Sequence, residues 1–127
     1  GDVARWPNEG FAGELMRVEH WDNAVSMGSH AARRLLHGDA VGAYRPVPWF
    51  WSDQYDRKLQ FAGRARATDE VEIVQGSIEE RRFAAVYGRG GQVVGVFGMN
   101  RPRQVMQLRP LIERGATFGD ALDLARG

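Results

Sequence analysis

The chain has no cysteine, and that absence removes disulfide staples, thiolate chemistry, sulfur-held zinc and iron–sulfur ligation together. Any redox chemistry must therefore come from a bound cofactor. Long apolar runs are missing too, with no stretch of about 18 residues that could span a bilayer. The opening Gly1, Asp2, Val3 lacks the basic-then-apolar order of a signal peptide, so the expectation is a cytoplasmic protein with no membrane partner. Charge of one sign is scarce: 17 basic residues face 16 acidic ones, for a net charge of +1. A balance that even does not suit phosphate-backbone binding, and nucleic acid is excluded as a partner on that ground. Lysine is reduced to Lys58. The arginine bias reflects either coding composition or the use of a planar fork that suits carboxylates and phosphates.

What remains is an ordinary globular composition, with 43% hydrophobic and 26% charged residues and five prolines in 127 positions. A chain of this length buries roughly two-thirds of the surface its unfolded form exposes, enough for a folded domain. Gly1 to Gly13 shows no period, and Pro7, Asn8, Gly10 and Gly13 mark it as loop. From Val18 to His37 the apolar residues Trp21, Ala24, Val25, Ala31, Ala32, Leu35 and Leu36 recur at three and four, with Gly38 placed to end a helix. Asp39 to Pro48 reads as a connector leading to the aromatics Trp49, Phe50, Trp51 and Tyr55 at a domain junction.

Four runs with strand character follow, Lys58 to Ala62, Glu70 to Gln75, Arg82 to Tyr87 and Gln92 to Phe97. Alternation of Val71 and Ile73 with Glu70 and Glu72 predicts one wet face. Gly88, Arg89, Gly90 and Gly91 form a short link that favours an antiparallel hairpin. Asn100 is placed to cap a helix from Arg101, which Pro110 should kink or restart. Thr117 and Asp120 have the spacing of a capping box for a last helix. The fold class is α+β, an N-terminal helical part followed by an antiparallel sheet of four to five strands and two C-terminal helices.

Chemistry is sparse. A phosphate-cradling glycine loop must follow a strand and open a helix, whereas Gly88 to Gly91 lies between two strands. His20, His30 and His37 are ten and seven residues apart, which does not match a helical metal pair, so no metal is expected. The segment Arg17 to Ala24, RVEHWDNA, places polar side chains at a helix N-terminus, an end that attracts negative charge. It serves either that purpose or plain capping with Trp21 in the core. The aromatics of VPWFWSDQYDRKLQFAG, Val47 to Gly63, are either core packing or a seat for a flat ring system such as a flavin or nicotinamide.

That string, preceded at the right distances by GDVARWPN and RVEHWDNAV, resembles the FAD-dependent NAD(P)H ferredoxin reductases that serve bacterial dioxygenases and cytochromes P450. More distantly it is similar to apoptosis-inducing factor. The resemblance covers essentially the whole chain and implies that residues 1–45 are the C-terminal end of an FAD-binding domain and 46–127 the reductase C-terminal domain. It implies FAD and NAD(P)H as cofactors and a ferredoxin as electron acceptor. It also implies that Asp2 hydrogen-bonds the FAD ribityl chain beside Val3, that Glu19, His20 and Trp21 face the flavin pyrimidine edge, and that Trp51 lies by the isoalloxazine and nicotinamide. Both glycine fingerprints of those enzymes would precede Gly1. The chain alone is thus expected to be catalytically incomplete and to bind no FAD tightly, its other partner being the missing FAD and NAD domains. The alternative is a non-catalytic docking or oligomerisation module, and self-association through apolar surface around Trp21 and Trp49 is a further expectation.

Overall fold

A computed structural model describes residues 1–127, which divide into two compact units, Gly1–Trp49 and Phe50–Gly127. In the first, the stretch expected to be loop carries β1 (Trp6–Asn8) and β2 (Glu14–Met16), paired antiparallel with Asn8 opposite Glu14. A 3-10 turn at Glu9–Phe11 joins them. Asn8 is the cause. Its side-chain oxygen accepts from the Gly10 amide at 3.0 Å and its amide donates to the Pro46 carbonyl at 2.9 Å, so a turn former also becomes a fully buried tie. Strands of three residues are too short for periodicity to reveal.

The helix α1 runs Trp21–His37, starting three residues later than its apolar pattern suggested and ending at Gly38, whose φ of 63° is the left-handed kind expected there. Its only buried residue is Asn23. Asn23 donates to the Val18 carbonyl at 3.0 Å and accepts from the Tyr44 hydroxyl at 3.0 Å. The connector is therefore not slack. Tyr44 also accepts the Trp6 indole N–H at its carbonyl at 3.2 Å and stacks obliquely on that ring.

The second unit is a five-stranded antiparallel sheet in the order β3-β4-β7-β6-β5, followed by α2 (Pro102–Glu113) and α3 (Phe118–Arg126). Its strands are β3 (Trp49–Gln54), β4 (Arg57–Gly63), β5 (Glu70–Ser77), β6 (Arg82–Arg89) and β7 (Gln92–Met99). The α+β plan expected from sequence, antiparallel sheet then two helices, is what the chain adopts. The aromatic junction turns out to be an edge strand, and β-branched and aromatic residues suit a pleated half-buried surface. Gly90 and Gly91 form the two-residue turn between β6 and β7, both at positive φ (57° and 79°), the geometry that a tight hairpin needs and glycine supplies.

Both helices cover one sheet face, where small residues let them approach. A Cβ on Gly98 would meet Val105 at 2.5 Å, and one on Gly88 the Phe118 ring at 2.6 Å. In the layer between, Ala62, Ala84, Val86 and Val96 of the sheet and Val105 and Leu108 of α2 are at most 1% exposed. The register puts Ile73, Ala85, Phe97 and Phe61 together in a row on the opposite face.

The alternation in β5 is real, but its sense is opposite to the expectation. Val71 and Ile73 point to the face without helices, while Glu72 meets Arg126 of α3. A bulge between Ile73 and Gln75 then re-aims the strand. Gln75 reaches the Ala125 carbonyl and the Gln104 side chain, both at 2.8 Å, tying the edge to both helices.

Asn100 does not cap α2 with its side chain. Its φ is 52°, and it accepts the Lys58 amide at 2.7 Å and donates to the Asp56 carbonyl at 3.1 Å, pinning the β3–β4 turn to the end of β7. Arg101 holds the N-cap position and Pro102 opens the helix, which continues through Pro110 as one element. The capping box at Thr117 and Asp120 is formed, each side chain taking the other's backbone N–H. Hydrogen bonds from Thr117 hold the Asp120 carboxyl below its ordinary pKa.

Candidate functional site

The N-terminal unit gathers five of the six residues singled out in the sequence. Gly1 to Ala4 closes a turn in which the Ala4 amide donates to the Gly1 carbonyl at 3.0 Å. That turn lies on α1: a Cβ on Gly1 would meet Ala24 at 3.3 Å. Asp2 and Val3 are exposed on it, Val3 at 96%. The turn thus rests against the helix at whose beginning Glu19, His20 and Trp21 lie.

The helix α1 begins at Trp21, directly after Glu19 and His20. His20 is the N-cap residue, with extended backbone, and its side chain makes no capping hydrogen bond. The unsatisfied N–H groups and the dipole of a 17-residue helix make that end electropositive. Asn23, one turn in, fixes the approach of the chain by holding the Val18 carbonyl. Glu19 pairs with Arg17 at 2.8 Å, both side chains more than half exposed, a pair worth little to stability. Trp21 is 71% exposed rather than in the core.

Tyr44, behind this helix, has its pKa raised, first by burial and then by the negative charge of Asp22, with Ser26 opposing. Asn8, Asn23 and Tyr44 order this unit, and sequence reasoning did not select them. An asparagine in a helix's first turn that is not itself the cap was the available signal.

Trp51 belongs to the second unit. It occupies the middle of edge strand β3 and is 42% exposed. Phe50 stacks on Phe61 at 5.8 Å, and because successive strand residues alternate, Trp51 lies on the other face, the one that bears the helices. The β3–β4 hairpin that presents it is further fixed by an ion pair of Lys58 with Asp53 at 3.0 Å.

The cofactor expected from sequence can be tested against these features. An uncapped helix N-terminus beside an exposed aspartate fits the electron-rich edge and polyol chain of a flavin. The chain's one run of adjacent glycines lies in the β6–β7 hairpin and not at a helix start, where a phosphate-cradling loop would place it.

Residues 49–125 match the family model described as Reductase C-terminal. The chain is similar to rhodocoxin reductase of Rhodococcus erythropolis, 39% identical over 112 residues that make up 88% of this chain and 25% of that protein. It is also similar to human apoptosis-inducing factor 3, 30% identical over 115 residues, 91% of this chain and 18% of that one. Among solved structures, the covalent putidaredoxin reductase–putidaredoxin complex superposes with a TM-score of 0.81 at 30% identity, over 91% of this chain and 27% of its counterpart. The chain spans about a quarter or less of the length of each of these relatives. With the five-stranded sheet, the FWSD strand, α2 and all but the last residue of α3 inside the matched region, the chain belongs to the Reductase C-terminal family.

Proposed function

We propose that this chain is the flavin-facing end and C-terminal domain of a ferredoxin reductase, in which electrons pass from NAD(P)H through FAD to a ferredoxin. The observation that carries this reading is the Gly1 to Ala4 turn set on the helix whose uncapped N-terminus bears Glu19, His20 and Trp21. FAD, when bound, supplies the ability to accept a hydride equivalent and release electrons singly. The residues of this chain would position it. Asp2 accepts from the ribityl hydroxyls, with Val3 beside them. The first-turn amides of α1 stabilise negative charge at the pyrimidine edge when the ring is reduced. Trp51 orders the flat surface where nicotinamide and ring must stack, a matter of geometry more than of retention.

Two measurements test the reading. Titrated with FAD, the 127-residue chain alone should bind no better than at high micromolar concentration, roughly 5 to 6 kcal/mol, for want of a phosphate seat. Stoichiometric FAD carried through gel filtration by the chain would sink that part. In the reductase carrying this chain with its nucleotide-binding portion, Asp2→Ala should lose FAD while Trp51→Ala retains it and changes the rate of flavin reduction by NAD(P)H. Stopped-flow reduction of Trp51→Ala at the wild-type rate would make Trp51 a packing residue only.

A further inference from the structure

Trp51 stands on an edge strand whose one neighbour in the sheet is β4. The two-residue turn of Tyr55 and Asp56 sets Gln54 opposite Arg57 and therefore Trp51 opposite Gln60, in register with the stacked pair Phe50 and Phe61. Where the hairpin stands thus depends on how β4 is held to β7. That ladder runs from Gly63 opposite Gly95 and ends at Leu59 opposite Met99. Beyond it the hairpin tip has polar contacts of its own: Lys58 with Asp53 at 3.0 Å, Arg57 with Asp56 at 2.9 Å and Gln54 with Ser52 at 2.7 Å. Each of these joins one residue of the hairpin to another.

Asn100, the first residue after β7, joins the tip to the sheet. Its main-chain N–H donates to the Lys58 carbonyl at 2.9 Å. In an antiparallel ladder such a pair exchanges two main-chain bonds, but here the Lys58 amide donates to the Asn100 side-chain oxygen, at 2.7 Å. The side chain stands in for a carbonyl that the left-handed backbone, φ 52°, turns aside. Its amide nitrogen then donates to the Asp56 carbonyl, in the turn itself, at 3.1 Å. Three demands meet at this position: a positive φ, an acceptor and a donor. Glycine meets the first and aspartate the first two, while asparagine meets all three. The helix that follows makes no such demand, because Arg101 holds its N-cap position.

We propose that Asn100 is a positioning residue for hydride transfer: by clamping the β3–β4 turn to the end of β7, it sets where Trp51 stands against the nicotinamide. The proposal rests on the reductase reading above, in which Trp51 orders the stacking surface. Reactions of this kind are sensitive to placement, a shift of about 1 Å being able to cost on the order of a hundredfold.

Two variants separate the three demands in the reductase that carries this chain with its nucleotide-binding portion. Asn100→Gly keeps the left-handed backbone and removes both side-chain bonds. Asn100→Asp keeps the oxygen for Lys58 and loses the donor to Asp56. Each is made with Trp51 present and in the Trp51→Ala background, and FAD content, thermal midpoint and the limiting stopped-flow rate of flavin reduction by NAD(P)H are measured. The expected result is that Asn100→Gly keeps its FAD, melts within a few degrees of the parent, and shifts the limiting rate at least about fivefold in the direction of Trp51→Ala. Asn100→Asp should fall between that variant and wild type. In the Trp51→Ala background Asn100→Gly should change the rate less than about twofold, since the ring it positions is gone. Equal effects in the two backgrounds would make the change a general loosening and overturn the proposal. A wild-type rate for Asn100→Gly beside an altered rate for Trp51→Ala would overturn it as well, and both results leave the reductase reading standing. FAD lost from Asn100→Gly would make Asn100 a residue of the fold only, again against the proposal. Trp51→Ala reduced at the wild-type rate would remove the part of the reductase reading that concerns Trp51, and this proposal with it.

Discussion

The two units solve the same problem with different means. Phe50–Gly127 closes an apolar layer between sheet and helices, with alanines and glycines under Val105, Leu108 and Phe118. Gly1–Trp49 has few apolar residues out of water, Met16, Val18 and Val47 among them, and relies on two buried asparagines to stitch strand, helix and connector. Its helix keeps Val25, Leu35 and Leu36 at 54%, 88% and 78% exposure. The first unit thus leaves an apolar side of its helix uncovered and holds itself by polar ties, while the second closes an apolar layer between its sheet and helices.

The contrast sharpens most at an arginine-held carboxylate of the second unit. Asp69, 1% exposed at its side chain, is held by Arg89 through two bonds of 2.7 Å and by the Arg66 amide at 2.7 Å. The Arg89 hydrogen bond is the chief reason its carboxyl stays below the ordinary range. Arg89→Met should cost about 3 kcal/mol by urea denaturation at pH 7, the lower end for breaking a buried pair because Arg89 is partly exposed. The sign in pH follows from the depressed folded-state pKa. The pair's stabilisation is present above the unfolded-state value near 3.9 and is lost as pH falls through the folded one. Wild type should therefore shed stability below about pH 4 by an increment that Arg89→Met lacks. Parallel pH profiles for the two proteins would refute the assignment.

In the other unit the corresponding test is Asn23→Ala, which strands the Val18 carbonyl and takes away the Asn23 acceptor of the Tyr44 hydroxyl. A cost of about 2 kcal/mol is expected, since a buried polar group left unpaired loses 1–3 kcal/mol. Hydrogen exchange should localise the loss to residues 1–49, with β6 and β7 as protected as before. If the sheet loosened equally, the two units would not be separate in energy and the comparison would fail.

How far these features could be read in advance divides along the same line. Strands β4 to β7 and the capping box were legible, because period-two runs, a glycine pair and a Thr-x-x-Asp spacing each express a local rule. The β1–β2 hairpin was not, since three-residue strands have no period and Asn8 signals a turn whether or not it also reaches Pro46, 38 residues away. The sense of β5 was lost for a tertiary reason: a lone Glu72 looks solvent-facing until Arg126, far along the chain, arrives beside it. Among the site residues, the order GDV then EHW was visible. That a turn at Gly1 would rest on Ala24 was not, because nothing local records that contact.

A smaller effect is expected at the last helix. Thr117→Ala removes the side chain that accepts the Asp120 amide at 3.0 Å and should cost about 1 kcal/mol, the usual worth of an N-cap. The tie from the Phe118 amide to the Gly91 carbonyl at 2.8 Å remains to hold the helix start. A loss above roughly 2 kcal/mol, beyond what caps contribute, would mean that α3 depends on its cap more than on Phe118 and Ala121 in the core.

The smallest effect carries the most information about the N-terminal unit. Replacing both Leu35 and Leu36 by Ser removes large apolar side chains from a helix, which in a sealed core would cost several kcal/mol. Here they are among the most exposed residues of α1, and surface changes of this kind usually fall within about 0.5 kcal/mol. The double variant of the 127-residue chain should therefore melt within a few degrees of wild type and keep its helical circular dichroism. Placed in the reductase that carries the chain, the same double change should lower the thermal midpoint clearly, because α1 there would meet the rest of a flavin-binding domain. The two measurements together decide the matter. A large loss in the chain alone would mean that the unit already covers this side of α1, and no loss in either setting would mean that nothing covers it, so that the helix is a surface element and the N-terminal unit complete in itself.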